Sequence, residues 1–526
     1  MAGPLRSILS MSAATTLSRI TGYLRTMVQA ATLGTGAIAG AYTLSNALPT
    51  QIYELFMGGL LSSVLVPLLV ERVTRHGEED ARAFANALLT LMLPFLAAMA
   101  ILGIVFAEPL ILLTTDWAGS GALSPEESTE RTSLAVLLFR FFALQIVFYG
   151  VGALATGVLN THQRFFLPAF APVLNNLIVM LSFGGYALLV VRNPEAAIYT
   201  LAVGTTLGVA VMSLILVPSA LRLGYRPRLR LGHPVLRPAA RLAAPVFVLV
   251  AATVGVQAVA NLLASRFDGV DELYYAYIVF LLPYGVFVVS IATALTPELS
   301  EKFARHDIDG YRSALSYGLR AVVFVTVPAL AGLAALAVPT VGLLYQRGEF
   351  GADDTQLVAS VLTAFAVGLP GYALQFVLVR SFYARQNSAT PAALNVGLFL
   401  LFVGISYALS STLGLTGVAL GFSAAYTLLA LALLVAMRRE IDDIDAGRLA
   451  RSLFKFLAAG AAMYAVARLG LHLTGTGSSV LGRVLVLTSV GGASLATYLG
   501  IALLLKAEEL RTVAALLRIR QRKETL

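Results

Sequence analysis

Apolar residues in this chain come in long blocks rather than in alternation. Runs of about 20 or more, long enough as helices to cross roughly 30 Å of hydrocarbon, recur near residues 8–33, 38–70, 84–114, 132–158, 166–191, 197–221, 242–265, 273–297, 313–345, 356–384, 389–410, 415–437, 452–471 and 481–505. The pattern predicts an all-α polytopic membrane protein with about 14 transmembrane helices, since a helix satisfies its own backbone groups in lipid. The first block is too long for a signal-peptide core and ends without a cleavage motif, so it is expected to remain as a span.

The polar segments between blocks set an orientation. With the N-terminus in the cytoplasm, the inside segments hold Arg72, Arg75 and Arg82, then Arg164, then Arg222, Arg226, Arg228, Arg230, Arg237 and Arg241. Lys302, Arg305 and Arg312 follow, then Arg385, then Arg438, Arg439, Arg448, Arg451 and Lys455, and the tail "RIRQRKETL". The outside loops carry Asp116, Glu126, Glu127, Glu130, Asp268, Asp271, Glu272, Glu349, Asp353 and Asp354. This alternation follows the positive-inside rule and predicts cytoplasmic N- and C-termini. The net charge of +9 is then largely an attraction of loops to anionic headgroups, and no nucleic-acid partner is needed.

Composition narrows the chemistry further. Of 526 residues, 58% are hydrophobic and 12% charged, against about a quarter charged in soluble domains; the mean hydropathy is +0.82. The absence of cysteine removes disulfides, zinc–thiolate sites, iron–sulfur clusters and cysteine nucleophiles. His76, His162, His233, His306 and His472 fit no metal-ligand spacing, and no phosphate-binding P-loop occurs. No cofactor, no metal and no enzymatic activity are expected.

The chain also repeats itself. "PLLVERVTRHGEEDAR" from Pro67 returns as "PELSEKFARHDIDGYR" from Pro297, so that Glu71/Glu301, Arg75/Arg305, His76/His306 and Arg82/Arg312 match at an offset of 230. Six spans separate the copies, an even number, which makes the repeat parallel and related by an axis along the membrane normal. Such repeats are a transporter architecture. The expected division is an N-lobe over 1–222, a basic cytoplasmic linker over 223–241, a C-lobe over 242–440, and two C-terminal spans with a basic tail over 441–526.

Charges inside the apolar blocks are the candidate site. Arg19 and Arg25 lie in the first block, with Arg25 near mid-span, where snorkelling to an interface is hard. Lining a water-filled cavity to bind an anion is the alternative. Six residues apart on a straight helix, they point about 120° apart, unless Gly22 bends the helix between them. The second block holds Pro49 and Gly58-Gly59 around Glu54, and interrupted helices mark binding sites or moving parts. Glu54 is the one carboxylate placed deep in the membrane; it pairs with an arginine, titrates as a coupling group, or is a buried structural partner. Arg140 and Arg320 are read as snorkelling near span ends.

These residues resemble a family. "SRITGYLRTMVQAATLG" from Ser18 and "LPTQIYELFMGGLLSSVLVPLLVE" from Leu48 are similar to the amino-terminal signature of the MurJ/MviN lipid II flippases. "LNTHQRFFLPAFAPVLNN" from Leu159, "LYQRGEF" from Leu344 and "FYARQNSATP" from Phe382 extend the likeness over roughly residues 7–440. The resemblance implies the fold of the multidrug/oligosaccharidyl-lipid/polysaccharide exporter superfamily: two six-helix lobes around a central cationic cavity, plus two helices whose groove holds an isoprenoid tail. It assigns Arg19 and Arg25 to the lipid-linked pyrophosphate. Other family charges are missing here. An acid falls at Gly40, an arginine at Tyr53, a glutamate at Gly58, and an Asp-Arg pair at Tyr277-Ile278, a depletion similar to that of actinobacterial members.

A polar, uncharged lining is expected instead: Tyr53, Tyr277 and Tyr284, with Asn46, Gln257 and Asn261, suit a sugar headgroup. Tyr274 and Tyr275 read as interfacial aromatics. The resemblance implies a flippase of undecaprenyl-diphosphate-linked peptidoglycan precursor in the bacterial cytoplasmic membrane, working by alternating access from inner to outer leaflet. Its partners are the lipid-linked substrate, membrane lipids and, through the tail, cell-wall synthesis proteins. A flippase for another polyprenyl-linked glycan, a cation-coupled multidrug exporter on the same fold and a non-transporting scaffold are the alternatives. Basic residues predominate where a drug exporter would place acids.

Overall fold

The computed structural model describes residues 2–58, 65–119, 121, 123–442, 444–507 and 509. Gly59 and the basic tail after residue 509, both singled out above, lie outside the described residues. Every regular element among the described residues is helical.

The chain divides into two compact units, and the first comprises residues 1–271 with 347–351. It contains α1 (Ala2–Leu33), α2 (Ala37–Tyr53), a π-helical segment (Glu54–Gly58), α3 (Val66–His76), α4 (Glu78–Val105), α5 (Ala107–Thr114) and α6 (Pro125–Phe142). It continues with α7 (Gln145–Thr161), α8 (Phe166–Leu189), α9 (Pro194–Leu214), α10 (Val217–Arg222) and α11 (Leu236–Ser265). Local chemistry sets the starts. Ser124 and Glu127 form a reciprocal capping box ahead of Pro125, and Asn193 accepts from Ala196 N–H at 3.0 Å to begin α9, each satisfying otherwise orphaned donors. In lipid, helices associate through close packing of small residues rather than through the hydrophobic effect. α8 and α9 show this: a β-carbon at Gly208 would stand 2.6 Å from Asn175 Oδ1.

The second unit comprises residues 272–346 and 352–526. Its helices are α12 (Val270–Pro283, whose first two residues close the first unit), a second π-helical segment (Tyr284–Val288), α13 (Val289–Ala304), α14 (Ile308–Ala335) and α15 (Ala337–Leu344). α16 (Ala352–Val367), α17 (Leu369–Ala384), α18 (Ala389–Ile441), α19 (Ala446–Thr474) and α20 (Val480–Leu504) complete it. α18 is two helices joined at Gly414, whose φ of 57° only glycine adopts readily. Gly421 packs on Ser406 across that break, so the halves form an antiparallel hairpin corresponding to the predicted spans 389–410 and 415–437.

By length and apolarity, ten helices among the described residues can cross a membrane, or eleven with the α16–α17 pair, bent by 46°, taken as one span. The expected all-α polytopic fold is present, whereas the count of fourteen is not reached by that measure. α1 and α2 are not among the ten, and the α18 hairpin enters as one helix.

Two findings bear on the repeat. The π segments begin at residues 54 and 284 and end at 58 and 288, the same offset of 230 that relates the sequence copies. The first unit, however, includes α11, which packs on the first π segment and on α5, so this unit extends past the arginine-rich loop at which the repeat sets its boundary. Arg320 also differs from expectation. It does not snorkel but is buried in the second unit, 2.8 Å from Glu509 Oε1, because a buried guanidinium needs a counter-charge. Near the start of α20, Arg483 donates to Gly342 O and Gln346 Oε1, each at 2.7 Å.

Candidate functional site

In the first unit, α1 continues as one helix through Gly22, so the two arginines keep the roughly 120° separation of a regular helix. Thr21 and Ser18 lie on the face packed against α8, where Asn176 Nδ2 donates to Thr21 Oγ1 at 3.0 Å and to Ser18 O at 3.3 Å. Arg25 is one turn beyond Thr21 on that face and is half-buried, whereas Arg19 is exposed. Among the described residues neither guanidinium makes a hydrogen bond or ion pair.

A polar cluster stands near Arg25. Tyr149 of α7 is within electrostatic reach of both Arg25 and Glu54. Its hydroxyl accepts from Thr50 Oγ1 at 3.3 Å and donates to Gln145 Oε1 at 3.3 Å. The Tyr53 and Tyr149 rings lie 5.6 Å apart. Glu54, the first residue of the π segment, is exposed and makes no ion pair among the described residues, so of the three alternatives given above the pairing with an arginine is not formed in this structure. Asn46 is half-buried on α2 and Asn261 buried on α11, both in this unit. Gln145 and Tyr149 were not anticipated; four residues apart in an apolar run, they share one helix face, which is the only signal they give.

Gly40, where the resemblance expects an acid, is not without one. Asp271 Oδ2 accepts from Gly36 N–H at 3.1 Å, and a β-carbon on Gly40 would lie 3.5 Å from Asp271 Oδ1. Asp271 and Glu272, read as outer-loop acids, are buried. Two further acids read as outside-loop residues are engaged in ion pairs: Asp116 binds Arg266 at 2.8 Å, and Asp268 binds Arg131. The last residues of the "LYQRGEF" motif, which belong to this unit, meet α1, with Glu349 N–H donating to Ala31 O at 3.0 Å. Gly348 has φ 59°, and a β-carbon there would overlap Ala31 O, which explains that glycine.

Tyr277 belongs to the second unit, in an aromatic cluster. Its ring lies 5.7 Å from Phe365, 5.9 Å from Phe280 and 5.9 Å from Phe422. Tyr284 opens the second π segment 4.8 Å from Tyr372. Arg380 of α17, a further unanticipated cation, stacks 4.7 Å over Phe376.

A family model described as lipid II flippase MurJ matches residues 29–487. A probable lipid II flippase MurJ of Vibrio cholerae is 29% identical over 524 residues, covering 95% of this chain and 96% of the relative. Lipid II flippase MurJ of Burkholderia cenocepacia is 28% identical over 443 residues, covering 83% and 84%. Among solved structures, lipid II flippase MurJ in an inward closed conformation superposes with a TM-score of 0.76 at 23% identity, covering 96% of this chain and 99% of that one. An inward-facing multidrug transporter of the MATE family and MOP superfamily gives 0.66 at 16% identity, covering 84% and 99%. At such identities the two structures speak for the fold alone.

Proposed function

The chain belongs to the lipid II flippase MurJ family, and we propose that it moves undecaprenyl-diphosphate-linked peptidoglycan precursor from the inner to the outer leaflet by alternating access. It is a multi-pass protein of the inner membrane, in a family of transporters rather than catalysts, and its substrate is lipid-linked. The observation that carries the residue-level reading is Arg25: a half-buried guanidinium in an apolar helix, near Tyr149, with no carboxylate bound to it. A diphosphate is the ligand such a group suits, because charge-assisted, bidentate contacts strengthen as water is excluded. Arg19 adds a second, solvated charge. Tyr53, Asn46 and Asn261 offer hydroxyl and amide groups to a sugar, and Tyr277 in the second unit offers an aromatic face.

The proposed orientation places both termini and the 223–241 linker in the cytoplasm, following loop charge. Residues 1–222 and 242–440 are proposed as the repeated lobes, a reading supported by the shared offset of the two π segments. The tail is placed on anionic lipid, accessible to cell-wall synthesis proteins. Energy need not come from ATP: moving about two negative charges outward across an inside-negative membrane gains roughly 2.3 kcal/mol per charge per 100 mV. The test is purified protein in liposomes loaded with lipid II in one leaflet, together with rescue of a bacterium depleted of its own flippase. Translocation that disappears in Arg25→Ala is expected. Correct membrane insertion with no lipid II movement, but with movement of another polyprenyl-linked glycan, would overturn the substrate assignment.

A further inference from the structure

Between α4, α7 and α10 the first unit leaves a partly open cleft of about 520 Å³, walled by Leu89, Val151, Leu154, Val158, Leu221 and Tyr225. That space is open to the surroundings on one side, and its wall is almost entirely hydrocarbon. The segment after α10 runs over it without forming a helix. Arg228 N–H donates to Asn86 Oδ1 at 3.2 Å and Arg230 N–H to Thr90 Oγ1 at 3.1 Å. Two residues of extended chain and one helical turn both advance roughly 5–7 Å, so the strap runs in step with one face of α4. It is fixed at both ends: Arg82 Nη2 donates to Leu223 O at 3.3 Å, and buried His233 pairs with Asp80 at 3.3 Å. Burial, then the neighbouring Glu78 carboxylate, push the Tyr225 phenol up to about 12, and the ring is a neutral part of the wall.

What the strap leaves outward is informative. Arg222, Arg226, Arg228 and Arg230 are exposed, and among the described residues their guanidinium groups make no hydrogen bond or ion pair. Arg226 stands between Tyr225 and Pro227, and Arg222 follows Leu221, so both are next in sequence to residues that line the cleft. Leu229 and Leu231, 87% and 78% exposed, alternate with the arginines, as a segment lying at a lipid surface should. An apolar slot with cations at its rim is complementary to an anionic amphiphile.

We propose that this cleft binds one acyl chain of an anionic glycerophospholipid from the surrounding bilayer, with Arg222 and Arg226 holding its phosphate. The orientation proposed above places the lipid in the cytoplasmic leaflet, but the site itself does not depend on it. The bound lipid adds to the hydrogen bonds that already hold the strap on α4.

The test uses the full chain in neutral detergent, titrated by native mass spectrometry with dioleoyl phosphatidylglycerol and dioleoyl phosphatidylcholine. At about fivefold per arginine near a lipid headgroup, the wild type should prefer the anionic lipid by about 25-fold. Arg222→Gln with Arg226→Gln should bind the two lipids equally. Ala155→Phe, which fills the cleft while keeping both arginines, should weaken phosphatidylglycerol binding by about tenfold or more. Should that variant fail to fold, chain length on the wild type decides: short-chain dihexanoyl phosphatidylglycerol should bind about tenfold or more weakly than the dioleoyl lipid, and equal binding of the two would leave only a surface charge patch. Equal binding of the two lipids by the wild type overturns the proposal. So does unchanged binding by Ala155→Phe, which would leave only a surface charge patch. Undecaprenyl phosphate displacing phosphatidylglycerol at tenfold lower concentration would make the cleft a site for the substrate tail instead.

Discussion

The two π-helical segments occupy equivalent places in the repeat, yet their surroundings differ in kind. At the first, Glu54 stands with Tyr53, Thr50, Tyr149 and Gln145, and Tyr149 is within electrostatic reach of both Glu54 and Arg25. At the second, Tyr284 packs on Tyr372 at 4.8 Å and Phe376 at 5.4 Å, in a cluster that extends to Tyr277. "ALQIV" from Ala143 also returns as "ALQFV" from Ala373, again 230 residues on, but the Tyr149-Gly150 that follows becomes Val379-Arg380. What the repeat keeps is the irregularity of the backbone, and what it gives up is the chemistry. π segments concentrate at functional sites because the extra residue re-aims side chains and loosens the ladder. Here the same device presents a charged, hydroxyl-rich surface in one unit and an aromatic one in the other.

The largest expected effect falls on the charged side. Arg25→Ala should reduce lipid II flipping by about 100-fold or more, since two charge-assisted hydrogen bonds are each worth about 1.5–3 kcal/mol. Arg25→Lys should retain part of the activity, because an ammonium restores charge without the planar fork. Both should accumulate and insert normally. The comparison breaks if Arg380→Ala is the more damaging change in the same liposome assay, because the anion contact would then belong to the aromatic unit.

On the aromatic side, Tyr277→Ala should weaken lipid II binding by about fivefold, in line with about 1 kcal/mol for an aromatic contact, while Tyr277→Phe stays close to wild type. Binding of undecaprenyl phosphate, which lacks the sugars, should be unchanged in both variants. Equal losses for the two ligands would show that the cluster supports the fold rather than reads the headgroup. Arg19→Ala should cost less, about threefold in affinity for either ligand, because an exposed charge is worth only about 0.2–1 kcal/mol.

Much of the first unit's site could be read from sequence because charge inside an apolar run is conspicuous. Arg25 and Glu54 stand out for that reason, and the helical angle between Arg19 and Arg25 already separates an exposed arginine from a half-buried one. Tyr149 and Gln145 are uncharged and sit in a helix that also passes as ordinary membrane span, so nothing in their composition marks them. Asp271 sits at a span end and reads as a loop acid; its approach to Gly36 and Gly40 joins residues more than two hundred positions apart, a relation with no local pattern. The pairing of Arg320 with Glu509 was hidden in the same way. The helical class followed from the apolar blocks, but counting spans was harder where polar residues and π segments interrupt them.

Glu54 should show the smallest change at a fixed pH, and it is the sharpest test of why the first π segment carries a charge at all. A counter-charge holds an arginine in place through contact, and its removal leaves that arginine buried and unpaired, at a cost of about 3–5 kcal/mol. Glu54 is exposed and no arginine is bound to it, so Glu54→Gln should alter thermal stability by less than about 0.5 kcal/mol, as for an ordinary surface change. A carboxylate kept in an apolar helix without a structural partner is then accounted for by transport. The expected outcome is a flippase that melts like the wild type and turns over at a similar rate at neutral pH, but whose rate no longer responds to proton or sodium gradients across the liposome. A melting temperature several degrees lower, with gradient dependence intact, would return Glu54 to the role of a counter-charge in a conformation other than this one. The difference between the two π segments would then lie in packing alone.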